Sequence, residues 1–143
     1  MKSTAKLLSL TAIVVFALSS CTLLFQTAGM QSRIASFESD LNTEDRTLLY
    51  LNFSELAEDY DAIKNGQAFE TGPFAYANRG DGFVIDVTDA SEPDNVQATL
   101  TNANLDSQPL TFVMVQEGFS WYIREISLTI GGVNYSIKQL STL

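Results

Sequence analysis

The chain opens on an apolar run, Leu7 to Leu18, preceded by Lys2 and Lys6 and followed by Ser19, Ser20 and Cys21. A basic start, an apolar centre and a small polar end make the layout of a secretory leader over residues 1–20. Twelve residues of helix rise about 18 Å against a hydrocarbon core of about 30 Å, so this run is too short to span a bilayer alone. Residues 21–31 follow without charge or periodicity and predict a tether, of which residues 22–31, at about 3.3 to 3.6 Å per residue, reach at most about 35 Å. From Arg33 onward Ile34, Phe37 and Leu41 recur at helical spacing, with Ser36, Glu38 and Asp40 on the other face, predicting a first amphipathic helix that ends at Asn42. Asn42 or Thr43 then caps a second helix, with Glu44 and Asp45 in its first turn and Leu48, Leu49, Leu51 and Phe53 as its apolar surface. Leu56, Tyr60 and Ile63 predict a third, with Ser54 as N-cap and Gly66 as its stop.

Beyond Gly80 the period changes to two. Phe83–Val87, Val96–Thr101, Leu110–Val115, Trp121–Ile126 and Val133–Ile137 alternate as strands do. Turn signals separate them at Ser91–Asn95, Asn104–Ser107, Glu117–Gly118 and Gly131–Gly132, close enough for successive strands to pair antiparallel. Helices first and an antiparallel meander second define an α+β fold over residues 32–143, with the helices packed on one face of a curved sheet.

Composition narrows the chemistry. A chain of 143 residues that is 45 % apolar supports one packed domain. It contains no histidine, which excludes histidine metal sites, Ser-His-Asp triads and Cys-His pairs. Without the leader, 17 acidic side chains face 6 basic ones, a formal balance of −11. Such a surface repels phosphate backbones, which argues against a nucleic-acid partner and leaves membrane attachment to something other than surface charge.

Leu18-Ser19-Ser20-Cys21 resembles the lipobox of bacterial lipoproteins. The resemblance implies that Cys21 takes a diacylglyceryl thioether, that the signal is cut between Ser20 and Cys21, and that the chain is fastened to the cell envelope by acyl chains. Thr22 is not the Asp that the lipoprotein sorting rule associates with inner-membrane retention, so the outer membrane is favoured, with the face of that membrane left open. The single cysteine is then consumed by lipid and forms no disulfide. The competing reading is an uncleaved anchor helix from Leu7 to about Gly29, against which stand Ser19, Ser20, Thr22, Gln26 and Thr27.

The segment Leu110-Thr-Phe-Val-Met-Val-Gln-Glu-Gly-Phe-Ser-Trp-Tyr-Ile-Arg-Glu-Ile126 resembles the closing hairpin of NTF2-like domains. That superfamily places helices before a strongly bent sheet and forms a cone with a pocket at its wide end. The resemblance covers about residues 32 to 130, and Val133 to Leu140 adds a strand beyond the usual plan. It implies a pocket that Tyr60, Phe74 and Trp121 would line, with Phe69, Tyr76, Phe119 and Tyr122 as further aromatic neighbours; as core side chains the aromatics would bury about 150 to 250 Å² each, which alone accounts for their presence.

Catalytic, cofactor and metal residues are not expected. Tyr60 with Asp59 or Asp61, and Tyr122 with Asp86, are carboxylate–phenol pairs of a kind that serves acid–base work only once burial shifts the acid. Glu55, Glu58, Asp59 and Asp61, and likewise Asp86, Asp89, Glu92 and Asp94, supply oxygen ligands without the spacing of a calcium loop. Arg79-Gly80-Asp81 matches an adhesion tripeptide but also reads as a polar turn entering a strand. The sequons at Asn52 and Asn134 are idle if the chain is processed as a bacterial lipoprotein. The expectation is a lipid-anchored, non-catalytic binding or assembly domain whose partner, an envelope protein or a small apolar ligand, the sequence leaves open. The alternatives are a carrier of a small apolar ligand and, behind it, a hydrolase or isomerase.

Overall fold

The computed structural model describes the backbone of residues 2–140 and 142–143 and, within these, the side chains from residue 21 onward. The leader side chains, Ser20 among them, therefore lie outside the described residues.

The first helix, α1 (Lys2–Leu41), runs unbroken through the segment expected to be a tether. Polar residues lower hydropathy there without stopping a helix, because serine, threonine and glutamine continue the backbone ladder that proline would interrupt. As helix, residues 22–31 rise about 15 Å rather than the 35 Å of an extended chain. The buried stripe of α1 is Met30, Ile34, Phe37 and Leu41, one turn longer than expected from Arg33 onward.

After Asn42 the second and third predicted helices are mostly replaced by turns. A 3₁₀ turn occupies Leu49–Asn52, and α2 (Tyr60–Lys64) is a short helix that ends before Gly66, whose φ is +79°. Leu48, Leu51 and Leu56 are exposed, so the helical apolar stripe they suggested does not exist. Long-range hydrogen bonds decide the path instead. Ser54 N–H donates to Ile123 O at 2.8 Å, and Ser54 Oγ is hydrogen-bonded to Glu117. Phe53 bridges Ile123 in parallel sense, covering the edge of a strand from the far half of the chain.

The five strands are β1 (Val84–Asp89), β2 (Val96–Asn102), β3 (Leu105–Glu117), β4 (Ser120–Ile130) and β5 (Val133–Ser136), in spatial order β1-β2-β3-β4-β5 with every pair antiparallel. The predicted meander is present. β3 starts at Leu105, inside a segment expected to be a turn, and Ile137 opens a short helix, α3 (Ile137–Leu140), rather than closing a strand. Val96, Ala98 and Leu100 of β2 and Leu110, Phe112 and Met114 of β3 face the core in strict alternation. In β4 the buried residues Ile123 and Ile126 are three apart, because the register slips one residue where Val113 pairs Glu125 and Met114 pairs Ile123.

Between α1 and the sheet sit six phenylalanine rings, Phe37, Phe53, Phe69, Phe74, Phe83 and Phe112. Phe37 is central, with ring centroids of Phe53, Phe69, Phe74 and Phe112 at 5.6, 5.9, 6.3 and 6.1 Å in tilted or edge-on contact. The C-terminal turn of α1 also completes the outer edge of the sheet. Phe83 N–H donates to Asn42 Oδ1 at 2.7 Å, Asn42 Nδ2 donates to Phe83 O at 2.9 Å, and Ile85 N–H donates to Glu38 Oε2 at 2.6 Å. Helix side chains stand where a sixth strand would pair.

Candidate functional site

Two regions collect side chains that packing alone does not require. The first lies where α1 leaves the body of the domain. Thr27 Oγ1 donates to Ala90 O at 3.3 Å, and N-terminal to it every residue from Cys21 to Phe25 is exposed. Leu23, Leu24 and Phe25 are 55, 70 and 78 % exposed. Beside them projects the β3–β4 hairpin. Glu117 pairs Ser120, so Gly118 and Phe119 form a two-residue loop, with φ of +63° at Gly118 as such a tight turn requires. Phe119 at its tip is fully exposed and shares with Thr22, Phe25, Gln26 and Trp121 a cleft of about 330 Å³.

The hairpin is clamped to the helix. Trp121 lies so close to Gly29 that a Cβ at position 29 would fall 2.6 Å from Trp121 Cδ1. Arg33 Nε donates to Trp121 O at 2.7 Å while the guanidinium lies 4.8 Å from the Tyr122 ring centroid. Arg33 Nη1 also reaches Asn52 Oδ1 at 3.4 Å, and Asn52 Nδ2 donates to Asp40 Oδ2 at 2.7 Å. Helix, 3₁₀ turn and hairpin are thereby held in one arrangement. Sequence reasoning marked Cys21, Trp121 and the aromatic hairpin, and read Leu23, Leu24 and Phe25 only as prolonging the apolar run past the cysteine, not as a surface. The available signal was position: an aromatic in a two-residue loop cannot be buried by its own hairpin, and an apolar triplet beyond the tightest helix–hairpin contact has no core to enter.

The second region is a cleft of about 430 Å³ lined by Glu44, Arg46, Lys64, Phe69, Glu70 and Tyr76. Arg46 Nη2 donates to Leu41 O at 2.6 Å, and Nη1 donates to Phe69 O at 3.0 Å and Phe74 O at 2.5 Å. Leu41 is the last residue of α1, so this cation caps the negative end of the helix while stapling two loops to it. Burial, and secondarily the charge of Arg79, lowers the Arg46 guanidinium to about 10. The Arg79 guanidinium stacks 3.8 Å from the Tyr76 centroid. Arg46 is thus a strut whose donors are largely spent on main-chain carbonyls, and Glu44 and Glu70 set negative charge at the mouth.

The three residues expected to line a pocket are placed apart. Phe74 belongs to the buried ring cluster, Tyr60 stacks edge-on against Tyr50 at 6.3 Å with Lys64 nearby, and Trp121 packs on Gly29. Asp86 is exposed on β1, with β2 and β3 between it and Tyr122 on β4. Asp89 Oδ1 accepts from Ser91 N–H and Oγ at 2.9 and 2.7 Å, a local turn. Among the described residues no group of three or more Asp, Glu, Cys or His could hold a metal ion. Arg79 of the adhesion-like tripeptide is folded onto Tyr76, and Asn52 of the first sequon is buried. Among the described residues no helix is long and apolar enough to cross a membrane. Compared with known proteins, the chain matches no family model, no curated protein and no solved structure.

Proposed function

We propose that the chain is a lipid-anchored protein of the bacterial cell envelope, fastened through Cys21, whose NTF2-like α+β domain serves as a non-catalytic binding or assembly module. Outer-membrane placement follows from the same reading of Thr22. The observation that carries the proposal is the division of apolar surface. The six-phenylalanine cluster fills the space between α1 and the sheet, while four of the exposed apolar side chains, Leu23, Leu24, Phe25 and Phe119, stand on the part of the domain that carries the exposed Cys21. A filled interior favours an assembly module over a carrier, since a carrier needs an apolar cavity of several hundred Å³ that closes on its ligand. The order of elements, a long helix before an antiparallel meander, supports the NTF2-like comparison, with β5 and α3 as additions to that plan.

Fractionation of cells expressing the full chain tests the anchor. Metabolic palmitate label is expected on the wild type, and globomycin is expected to accumulate the uncut precursor. Cys21→Ala is expected to lose the label. Processing and fractionation unchanged by both Cys21→Ala and globomycin would overturn the reading.

A further inference from the structure

The tip of the β3–β4 hairpin carries a phenylalanine where solvent-facing loops ordinarily carry Asn, Asp, Gly or Ser. A single exposed apolar side chain needs no explanation, but a contiguous group does. Phe119 and Phe25 border one cleft with Thr22 and Gln26, and Leu23 and Leu24 are exposed on the same turn of α1, so this turn is apolar over three successive positions with polar Thr22 and Gln26 on its remaining side. An exposed apolar group of this size, Leu23, Leu24 and Phe25 with the Phe119 tip beside them, calls for a cover other than water. The sequence holds no charged residue from Leu7 to Ser32.

The next level inward has a different composition. Trp121, Tyr122 and Arg33, the first charge after that stretch, lie together and are joined by the Arg33–Trp121 hydrogen bond and the Arg33–Tyr122 stacking. Tryptophan, tyrosine and arginine are the side chains that settle at a bilayer's headgroup level, with an apolar body and a polar end. The close packing of Trp121 on Gly29 fixes the height of the hairpin along the helix, so the two levels are preformed rather than induced.

We propose that the helical turn Leu23–Phe25 and the hairpin tip at Phe119 form a seat in the bilayer interface. In this seat the four apolar side chains enter the acyl-chain boundary while Trp121, Tyr122 and Arg33 rest among the headgroups. The occupant is the leaflet that holds Cys21. This deepens the anchor reading and rests on it, since that reading brings residue 21 to the membrane. The consequence is a domain held at one height and tilt rather than swinging on a tether.

Trp121 is the sole tryptophan and reports its own depth. The lipidated chain, purified from membranes, is reconstituted into phosphatidylcholine vesicles whose acyl chains carry bromine either near the headgroup or near the chain end. Flotation with the vesicles, a blue-shifted emission, and stronger quenching by the shallow bromines than by the deep ones are expected. Phe119→Ser, a change at a fully exposed turn position, is expected to float equally well and to recover most of the emission, with Phe25→Ser as the second variant. A chain that floats with unquenched Trp121, or one whose quenching survives both substitutions, overturns the seat and leaves the anchor intact. Unquenched emission together with a Phe119-dependent cross-linked dimer overturns it in favour of a second copy as occupant. A chain that does not float overturns the anchor reading and the seat with it.

Discussion

Asp45 and Asp89 each turn back on the residue two positions ahead. Asp45 Oδ1 accepts Thr47 N–H at 3.0 Å and Thr47 Oγ1 at 2.7 Å, and Ser91 serves Asp89 in the same way. These bonds favour the carboxylate and hold both acids below the ordinary value of 3.8. A folded pKa below the unfolded one means that the unfolded chain takes up protons first as pH falls. The contribution to stability is therefore complete above the unfolded pKa and is lost as pH drops through the folded one. Asp45→Ala is expected to lower the urea midpoint at about pH 7, and the gap from wild type is expected to narrow at acid pH as the folded wild type protonates its acceptor. Equal gaps at the two pH values would mean that the turn does not depend on the carboxylate's charge.

The sheet was legible because its inner face is regular. Val96, Ala98 and Leu100, and Leu110, Phe112 and Met114, alternate with outward residues, and Gly118 and Gly131–Gly132 mark the hairpins that join β3, β4 and β5. The chain between Asn42 and Tyr60 was misread because its path is set by partners far away. Arg46 reaches the Phe69 and Phe74 carbonyls, Ser54 reaches Glu117 and Ile123, and Asn52 reaches Asp40, none of which leaves a periodic trace. That Tyr60, Phe74 and Trp121 lie apart could not be read from the sequence for a related reason, since sequence marks an aromatic as buried or exposed only through its neighbours' period, and Phe74 lies in a loop without one. The join between α1 and β1 is also invisible in the pattern, and it carries its own prediction. Asn42→Ala would strip the Phe83 N–H and C=O of their partners at the sheet edge, at a cost of about 1–3 kcal/mol if they stay buried. Amide exchange at Phe83 and Ile85 is expected to speed up well before that at β3. Unchanged edge protection would show that Glu38 alone holds β1.

At the scale of the whole molecule, two forces on the proposed seat oppose one another, and their magnitudes decide when it is occupied. Burying about 100–200 Å² of each phenylalanine at about 25 cal/mol per Å² favours contact by about 2–5 kcal/mol per ring. Against this stands the acidic body, with 17 acidic side chains in the full chain set against Arg33 at the helix–hairpin junction. Each acid within a Debye length of an anionic leaflet costs on the order of 1 kcal/mol, so a handful of them offsets one ring. In phosphatidylcholine vesicles the repulsion is absent. In vesicles containing phosphatidylglycerol the Debye length shrinks from about 30 Å at 0.01 M salt to about 3 Å at 1 M, which removes the repulsion while leaving apolar burial in place. Quenching of Trp121 is therefore expected to be weak in the anionic vesicles at low salt and to rise toward the neutral-vesicle value at high salt. A quenching level independent of salt would mean that the carboxylates all lie beyond reach of the leaflet, and that the domain stands more upright on its helix than the hairpin contact implies.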